Sequence, residues 1–500
     1  MFALQFITAH GAGQGTWASI SVLETVSLGA RKYLLAGSAA SGWLHELDLG
    51  LPTQRAAPHI FSQDMRLIGM EDGAIVPVGP APRLYLSGPY SDAAFGYRIM
   101  TDGSLGPRLS FPDLTSLGGR PTTIAPVDLD GIAYMAMAAD HGSGMALVRL
   151  ESSDGVALGQ PELVTQVSDH AKTTLQGVSD LLSLKIGAQS FVAAASAREQ
   201  GLSLYRIGAD GGMALSDSLT PKEGLWTSDI SALEAVEISG KTYLIAASSA
   251  ANSLTVLRVN PLGVMFITDH LLDDRASRFG GPSQLEAVSV NGRQLVLAGG
   301  GDSGFSLLEL LPDGRLFHHL ALEAQGGWSG LSGTLSALAA TMNGSSLQIF
   351  AGGAGGLMQF SLDLARLGPR VTGSARNERL EGATGDDLIY GGGGADTLIG
   401  GAGEDLLIAS QAGAHLYGGA GRDIFQIGPG SLRSVIHDFE KGLDRLDLGD
   451  WGRLYHQSAL TLLMRDYGAD IRYGDNLLEI HSANGAAIAP SSWGGEDFLF

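Results

Sequence analysis

The chain is predicted to be all-β: a seven-bladed β-propeller followed by a second, shorter repeat region. Three observations carry this reading. Glycine fills 72 of 500 positions, about twice the usual ~7%, yet there are only 18 prolines and no G-X-Y period, so tight turns rather than collagen account for it. A unit of about fifty residues recurs seven times, and beyond residue 370 the period falls to nine.

The remaining composition narrows the function classes. Hydrophobic residues make up 44% of the chain, enough for a packed core and against disorder. The formal charge of −21 opposes nucleic acid and anionic membrane surfaces and favours cations as partners. With no cysteine, disulfides, thiolate metal sites and cysteine nucleophiles are excluded. No apolar run approaches the ~18 residues of a membrane span, so no transmembrane segment is expected. The first residues, MFALQFITAHGAG, lack a basic region and alternate like a strand, so export would need another address than an N-terminal signal.

The long repeat is clearest in ISVLETVSLGARKYLLAGSAASGWLHELDLG (20–50), ISALEAVEISGKTYLIAASSAANSLTVLRVNPLG (230–263) and SQLEAVSVNGRQLVLAGGGDSGFSLLELLPDG (283–314). Each unit reads as a strand, a Gly/Asn/Asp turn, an apolar strand, a small-residue loop, a third alternating strand and a looser fourth. Second-strand markers fall at Tyr33, Leu84, Tyr134, Phe191, Tyr243, Leu295 and Gln348, spaced by 50 to 57 residues. One four-stranded blade cannot bury both faces alone, so seven of them imply a propeller. The N-terminal LQFITAH (4–10) matches VMFITDH (264–270), a fourth strand, whereas the seventh unit lacks one. The N-terminal strand is therefore expected to complete the last blade and close the ring.

Within the propeller, Ser21-x-Leu23-Glu24, Ser231-x-Leu233-Glu234 and Ser283-x-Leu285-Glu286 repeat on first strands, with Val76, Ala125, Leu182 and Ala339 at the glutamate place elsewhere. Three carboxylates near a central channel could hold a cation or activate a water; a structural consensus accounts for them equally well. Trp17, Trp226 and Trp328 precede first strands and either line one rim, suiting a glycan or protein ligand, or pack between blades. Asp140-His141 and the His10/His270 pair have no metal-ligand spacing and read as ordinary strand-end residues. No G-x-S-x-G elbow, Walker loop or dinucleotide fingerprint occurs, so no catalytic residue is assigned.

In phase, the short repeat reads GATGDDLIY (382–390), GGGGADTLI (391–399), GGAGEDLLI (400–408), ASQAGAHLY (409–417) and GGAGRDIFQ (418–426), preceded by a partial copy at 373–381 with Glu378 in the aspartate place. Glycines allow positive φ and turn carbonyls toward a cation, and the sixth-position aspartate adds a hard carboxylate oxygen of the kind Ca²⁺ prefers. Candidate metal-site residues are Gly382, Gly385, Asp387, Gly391, Gly392, Gly394, Asp396, Gly400, Gly401, Gly403, Asp405, Gly418, Gly419, Gly421 and Asp423. The apolar eighth positions, Ile389, Leu398, Leu407, Leu416 and Phe425, are expected to face inward.

These motifs resemble the RTX, or hemolysin-type, calcium-binding family over roughly 373–450. The resemblance implies a parallel β-roll with eighteen residues per coil, in which Ca²⁺ sits between loops two repeats apart. Asp387, Asp405 and Asp423 would then stack on one side and sandwich two ions. On the other side Asp396 lies between the imperfect Glu378 loop and Ala414 of the degenerate fourth repeat, so weak or no binding is expected there. VIHDFEKGLDRLDL (435–448) resembles the family's capping segment; Asp438 and Asp444 are either additional ligands or solvated carboxylates. The tail GGEDFLF (494–500) resembles the C-terminal signal of type I secretion substrates, which would make the exporter a partner.

The expected organisation is a propeller over 1–370, a calcium-binding roll with its cap over 371–450, and a C-terminal β segment with the secretion signal over 451–500. Residues 371–500 hold 19 Asp/Glu and 9 Lys/Arg, whose repulsion would keep this region unfolded until external calcium binds. Two functions stand: a secreted, extracellular calcium-binding protein, released or retained at the cell surface, with the propeller as interaction platform, or a secreted lactonase-like or other propeller hydrolase carrying the same export cassette.

Overall fold

Strands follow one another along almost the whole chain, joined by turns and loops, and the helical pieces given among the described residues are 3-10 turns of three residues. The computed structural model describes all residues except 1–2, 11–14, 51–56, 60–66, 79–80, 89–93, 112–117, 140, 153–154, 275, 324–332, 412, 431–432, 453, 455 and 500. No described helix is long and apolar enough to cross a membrane. Contacts divide the chain into two units, one built on Leu4–Val288 and Gln294–Leu362, the other on Asp363–Phe500.

The first unit is a seven-bladed propeller. Six four-stranded antiparallel sheets are each continuous in sequence, and the seventh takes Ala3–His10 as outer strand beside Gly356–Asp363, Ser346–Gly353 and Leu335–Asn343. The ring is thus closed by its N-terminal strand, as the match of residues 4–10 to 264–270 predicts. The core lies between blades. Alanines of one second strand, such as Ala193 and Ala195, pack with Leu233, Leu244 and Leu257 of the next blade. Small residues there let neighbouring sheets approach closely.

Serines join successive blades. In blades 1, 4, 5 and 7 the first strand shifts register at one place, between Ile20 and Val22, Val178 and Asp180, Ile230 and Ala232, and Leu335 and Ala337. Such a bulge re-aims the extra residue. Ser21 Oγ donates to the Met70 carbonyl at 2.7 Å, Ser179 to Ile230, Ser231 to Pro282, Ser283 to Leu335 at 3.1 Å, and Ser336 back to Ile20 at 2.7 Å. The serine of the Ser-x-Leu-Glu pattern is therefore a blade-to-blade link, whereas the glutamate has another location.

Blade 2 departs from the register expected of it. Arg83 pairs with Arg98 as Tyr134 pairs with Arg149 and Tyr243 with Arg258, so Arg83 rather than Leu84 holds the marker place. The position of Glu24 is filled there by Ala74, two residues before Val76, which pairs with Arg83. With Pro77 and Pro82 facing each other and arginine in the aromatic place, nothing in this segment signals register locally.

The second unit is a parallel β-solenoid. One sheet runs Leu367–Thr372, Asp386–Tyr390, Leu406–Ala409, Ile424–Ile427, Arg445–Asp447, Phe498–Leu499; the other runs Arg379–Glu381, Thr397–Ala402, His415–Ala420, Ser434–Phe439, Asn476–Ser482, then returns antiparallel through Gly468–Tyr473 and Thr461–Arg465. Partners are eighteen residues apart through the repeats, as Leu388↔Leu406 and Leu406↔Ile424, and Ile424↔Arg445 marks a longer last coil. Ile389, Leu398, Leu407, Leu416 and Phe425 are all fully buried in its core, the inward rows expected of the eighth positions. The solenoid begins at Leu367, and the tail strand Phe498–Leu499 closes its other end by pairing with Leu446 and Asp447.

Coil stacking leaves no room for side chains at the turn glycines. Gly421 has φ +142°, and a Cβ there would lie 1.7 Å from the Gly403 carbonyl. Gly421→Ala is expected to destabilise the solenoid by more than about 3 kcal/mol, since both strain and collision must be relieved. Thermal unfolding of calcium-loaded protein checks this, the propeller transition serving as internal reference.

Candidate metal centre

The sixth-position aspartates form a column along one side of the solenoid. The Asp387 amide donates to Asp405 Oδ1 at 2.8 Å, the Asp405 amide to Asp423 Oδ1 at 2.9 Å, and the Asp423 amide to Asp444 Oδ1 at 3.0 Å. All four side chains are buried. Asp444 thus occupies a fourth place in the column, although its coil is longer than the others. Asp444 Oδ2 accepts from the Glu440 amide at 2.7 Å, as Asp387 Oδ2 accepts from Ala383 at 2.6 Å.

Three carboxylate oxygens of the column, Asp387 Oδ1, Asp405 Oδ2 and Asp423 Oδ2, are buried without a hydrogen-bond donor. Leaving such groups bare is strongly unfavourable unless something positive meets them. Burial raises the pKa of each aspartate, with neighbouring carboxylates adding to it: Asp405 reaches about 7, Asp423 about 8 and Asp444 about 6. Backbone carbonyls lie close to the carboxylates of Asp387 and Asp405. A Cβ on Gly400 would sit 2.4 Å from both Asp405 Oδ2 and the Gly418 carbonyl, and one on Gly382 would sit 2.4 Å from the Gly400 carbonyl and 2.5 Å from Asp387 Oδ2. Gly418 likewise approaches Asp423 Oδ2. These donors are all hard oxygens, part carboxylate and part carbonyl, which fits Ca²⁺ rather than a softer metal.

The opposite side is incomplete. Asp396 is buried and accepts from the Glu378 amide at 2.9 Å, but the next coil presents buried Ala414 where a carboxylate would stand. Asp438 accepts from the Gly418 and Gly419 amides at 2.9 and 3.0 Å, capping that loop instead of extending either column.

A second group of carboxylates lines a cavity of about 530 Å³ at the first strands of the propeller, where Glu24, Glu71, Asp72, Asp180, Glu234 and Glu286 meet and the described lining residues include no lysine or arginine. Desolvation raises Asp180 to about 8, Glu286 to about 7 and Asp72 to about 6; Glu24 and Glu234 are pushed well up by burial, then by Asp72 and Glu286 respectively. Asp72 and Asp180 escape the Ser-x-Leu-Glu pattern because they stand two positions before its glutamate. Each also ties its blade to the following one: Asp72 Oδ2 accepts from the Ile124 amide at 2.8 Å and Asp180 Oδ2 from Leu233 at 2.6 Å. Carboxylates of this ring accept backbone amides of neighbouring blades, whereas the solenoid column keeps three buried oxygens without a donor.

The tryptophans do not form one rim. Trp17 is buried and stacks on His45 with centroids 3.7 Å apart, whereas Trp226 is 73% exposed; Trp328 and Asp140 lie outside the described residues. His10 pairs with Gln359 at 3.2 Å and His270 with Thr255 at 2.9 Å.

Residues 372–407 match the family model described as RTX calcium-binding nonapeptide repeat. No curated protein matches the chain. Among solved structures, a protein from Lactobacillus plantarum is similar at 16% identity, over 55% of this chain and 79% of its own, with a TM-score of 0.40. A putative 6-phosphogluconolactonase from Bacteroides uniformis is similar at 15% identity, over 61% of this chain and 85% of its own, with a TM-score of 0.44.

Proposed function

We propose that this chain, which carries RTX calcium-binding repeats behind a seven-bladed propeller, is a secreted protein whose solenoid folds on Ca²⁺ after export and whose propeller serves as an interaction platform. The observation that carries this reading is the aspartate column with its three bare, buried oxygens. Asp387 with Asp405, and Asp405 with Asp423, would each hold one ion, with the Gly400 and Gly418 carbonyls close by. Calcium supplies the positive charge that lets these carboxylates ionise inside the stack.

Without metal, the column must hold protons or remain unfolded. In calcium-poor cytosol the unfolded form is favoured, and outside the cell millimolar calcium shifts the balance by about 2.7 kcal/mol per site at a hundredfold excess over Kd. The tail supports the same order of events. Phe498 is 3% exposed, and Asp497 is paired with Lys441 Nζ at 2.8 Å, so a secretion apparatus reading GGEDFLF would have to do so before the solenoid folds.

The full chain is expected to show two thermal transitions in calcium, of which only the solenoid one is lost in EDTA. Circular dichroism melts check this; identical curves in calcium and EDTA would falsify the reading. The hydrolase reading is favoured by one observation, the cavity carboxylates whose protonation changes near neutral pH, the range a general acid or base requires.

A further inference from the structure

The outer face of the second solenoid sheet carries a group of imidazoles unrelated to the aspartate column. Parallel pairing sets Tyr417 one residue past Leu416↔Ile436, and His481 one past Ile436↔Ile480, so Tyr417, His437 and His481 are cross-strand neighbours. His415, two residues before Tyr417, reaches the same place: its Nδ1 lies 2.9 Å from His437 Nε2. The first of these strands, His415–Ala420, begins in the repeat ASQAGAHLY, which has lost its aspartate and most of its glycines.

We propose that His415 Nδ1 and His437 Nε2 together bind a borderline transition-metal cation of the Zn²⁺, Cu²⁺ or Ni²⁺ class, at a site separate from calcium. Two neutral imidazoles facing nitrogen to nitrogen can share one proton as a hydrogen bond, or both can give lone pairs to one metal. Imidazole suits these metals, whereas Ca²⁺ takes oxygen.

The surroundings hold the rings in place. Tyr417 stacks on His437 with centroids 4.3 Å apart and planes 6° apart. His481 lies 5.5 Å from His437 between centroids, and its Nε2 is 2.6 Å from Glu479, which is also paired with Arg433. That carboxylate contact is the kind that orients a metal-binding imidazole through its other nitrogen. Among the described residues no group of three ligands is already assembled, so water completes the coordination around the pair.

Zn²⁺ titration by calorimetry and Cu²⁺ electron paramagnetic resonance on the full calcium-loaded chain test the proposal. One equivalent of Zn²⁺ and nitrogen hyperfine coupling from two imidazoles are expected. His415→Ala and His437→Asn should each weaken Zn²⁺ binding by about tenfold or more while leaving the calcium-dependent circular dichroism unchanged. Because His415 is exposed, its variant decides the matter if His437→Asn perturbs the fold. Absence of binding at submillimolar Zn²⁺, or wild-type affinity in His415→Ala, overturns it.

Discussion

Asp405→Asn is expected to raise the calcium concentration that half-folds the solenoid by about 10- to 100-fold, because one charged oxygen donor shared by two intervals is lost. Asparagine keeps the shape and can still accept the Asp387 amide through its single carbonyl oxygen, so the loss falls mainly on metal binding. In EDTA the sign reverses. The Asp405 pKa is raised to about 7 in the folded solenoid, against about 3.9 in an unfolded chain. A carboxyl with a raised folded pKa contributes nothing to the balance below the unfolded value. As pH climbs from about 4 to about 7 the unfolded form ionises while the folded form does not, and folding is penalised. Removing the carboxylate removes that penalty, so the metal-free variant should be as stable as the wild type or more stable at neutral pH. Calcium titrations followed by circular dichroism, with spectra in EDTA taken from about pH 7 down to about pH 4, where a protonated column can fold without metal, read both effects. A variant with unchanged calcium response would show that Asp405 is no ligand.

Glu286→Gln is expected to stabilise the propeller at pH 8 by about 1–3 kcal/mol and to change nothing near pH 4. Glu286 is raised to about 7 by desolvation, so the wild-type propeller loses stability as pH rises from about 4 to about 7, the same sign as for Asp405. Glutamine retains an oxygen for the Ala340 amide, 3.3 Å away, and carries no charge to desolvate. Glu234→Gln should act in the same direction, since its carboxyl is pushed up by burial and by Glu286. Melting temperatures across pH 4–8 check the pair. Loss of hydrolysis of an ester or lactone panel in the stabilised variants would mark the ring as catalytic; a stability gain with no such activity in either form leaves the platform reading in place.

The two repeat periods were legible because each is written in local chemistry. The nine-residue pattern places a glycine wherever the coil must turn and an apolar residue wherever a strand enters the core, so the inward-facing positions can be read from spacing, and the eighteen-residue coil that the RTX resemblance implies sorts them into the rows Ile389–Leu407–Phe425 and Leu398–Leu416. The fifty-residue unit, with the N-terminal strand matching a fourth strand, was enough to count seven blades and close the ring. Blade 2 shows the limit: with Arg83 in the aromatic place and prolines opposite one another, its register followed from pairing rather than pattern.

What the sequence determined by itself is whatever one period contains: the all-β class, the seven propeller units, the nine-residue repeat with its inward-facing residues and its aspartates, whose stacking in a β-roll the resemblance to the RTX family implied. The tertiary structure decided what depends on residues from different periods meeting. It made the repeated serines links between blades, gathered Asp72 and Asp180 with the glutamates around one cavity, brought Asp444 into the column across a longer coil, and set His415 against His437. The physical reason is that backbone turns and burial are local preferences and recur with the repeat, whereas convergence across blades or coils depends on register, bulges and insertions that obey no period.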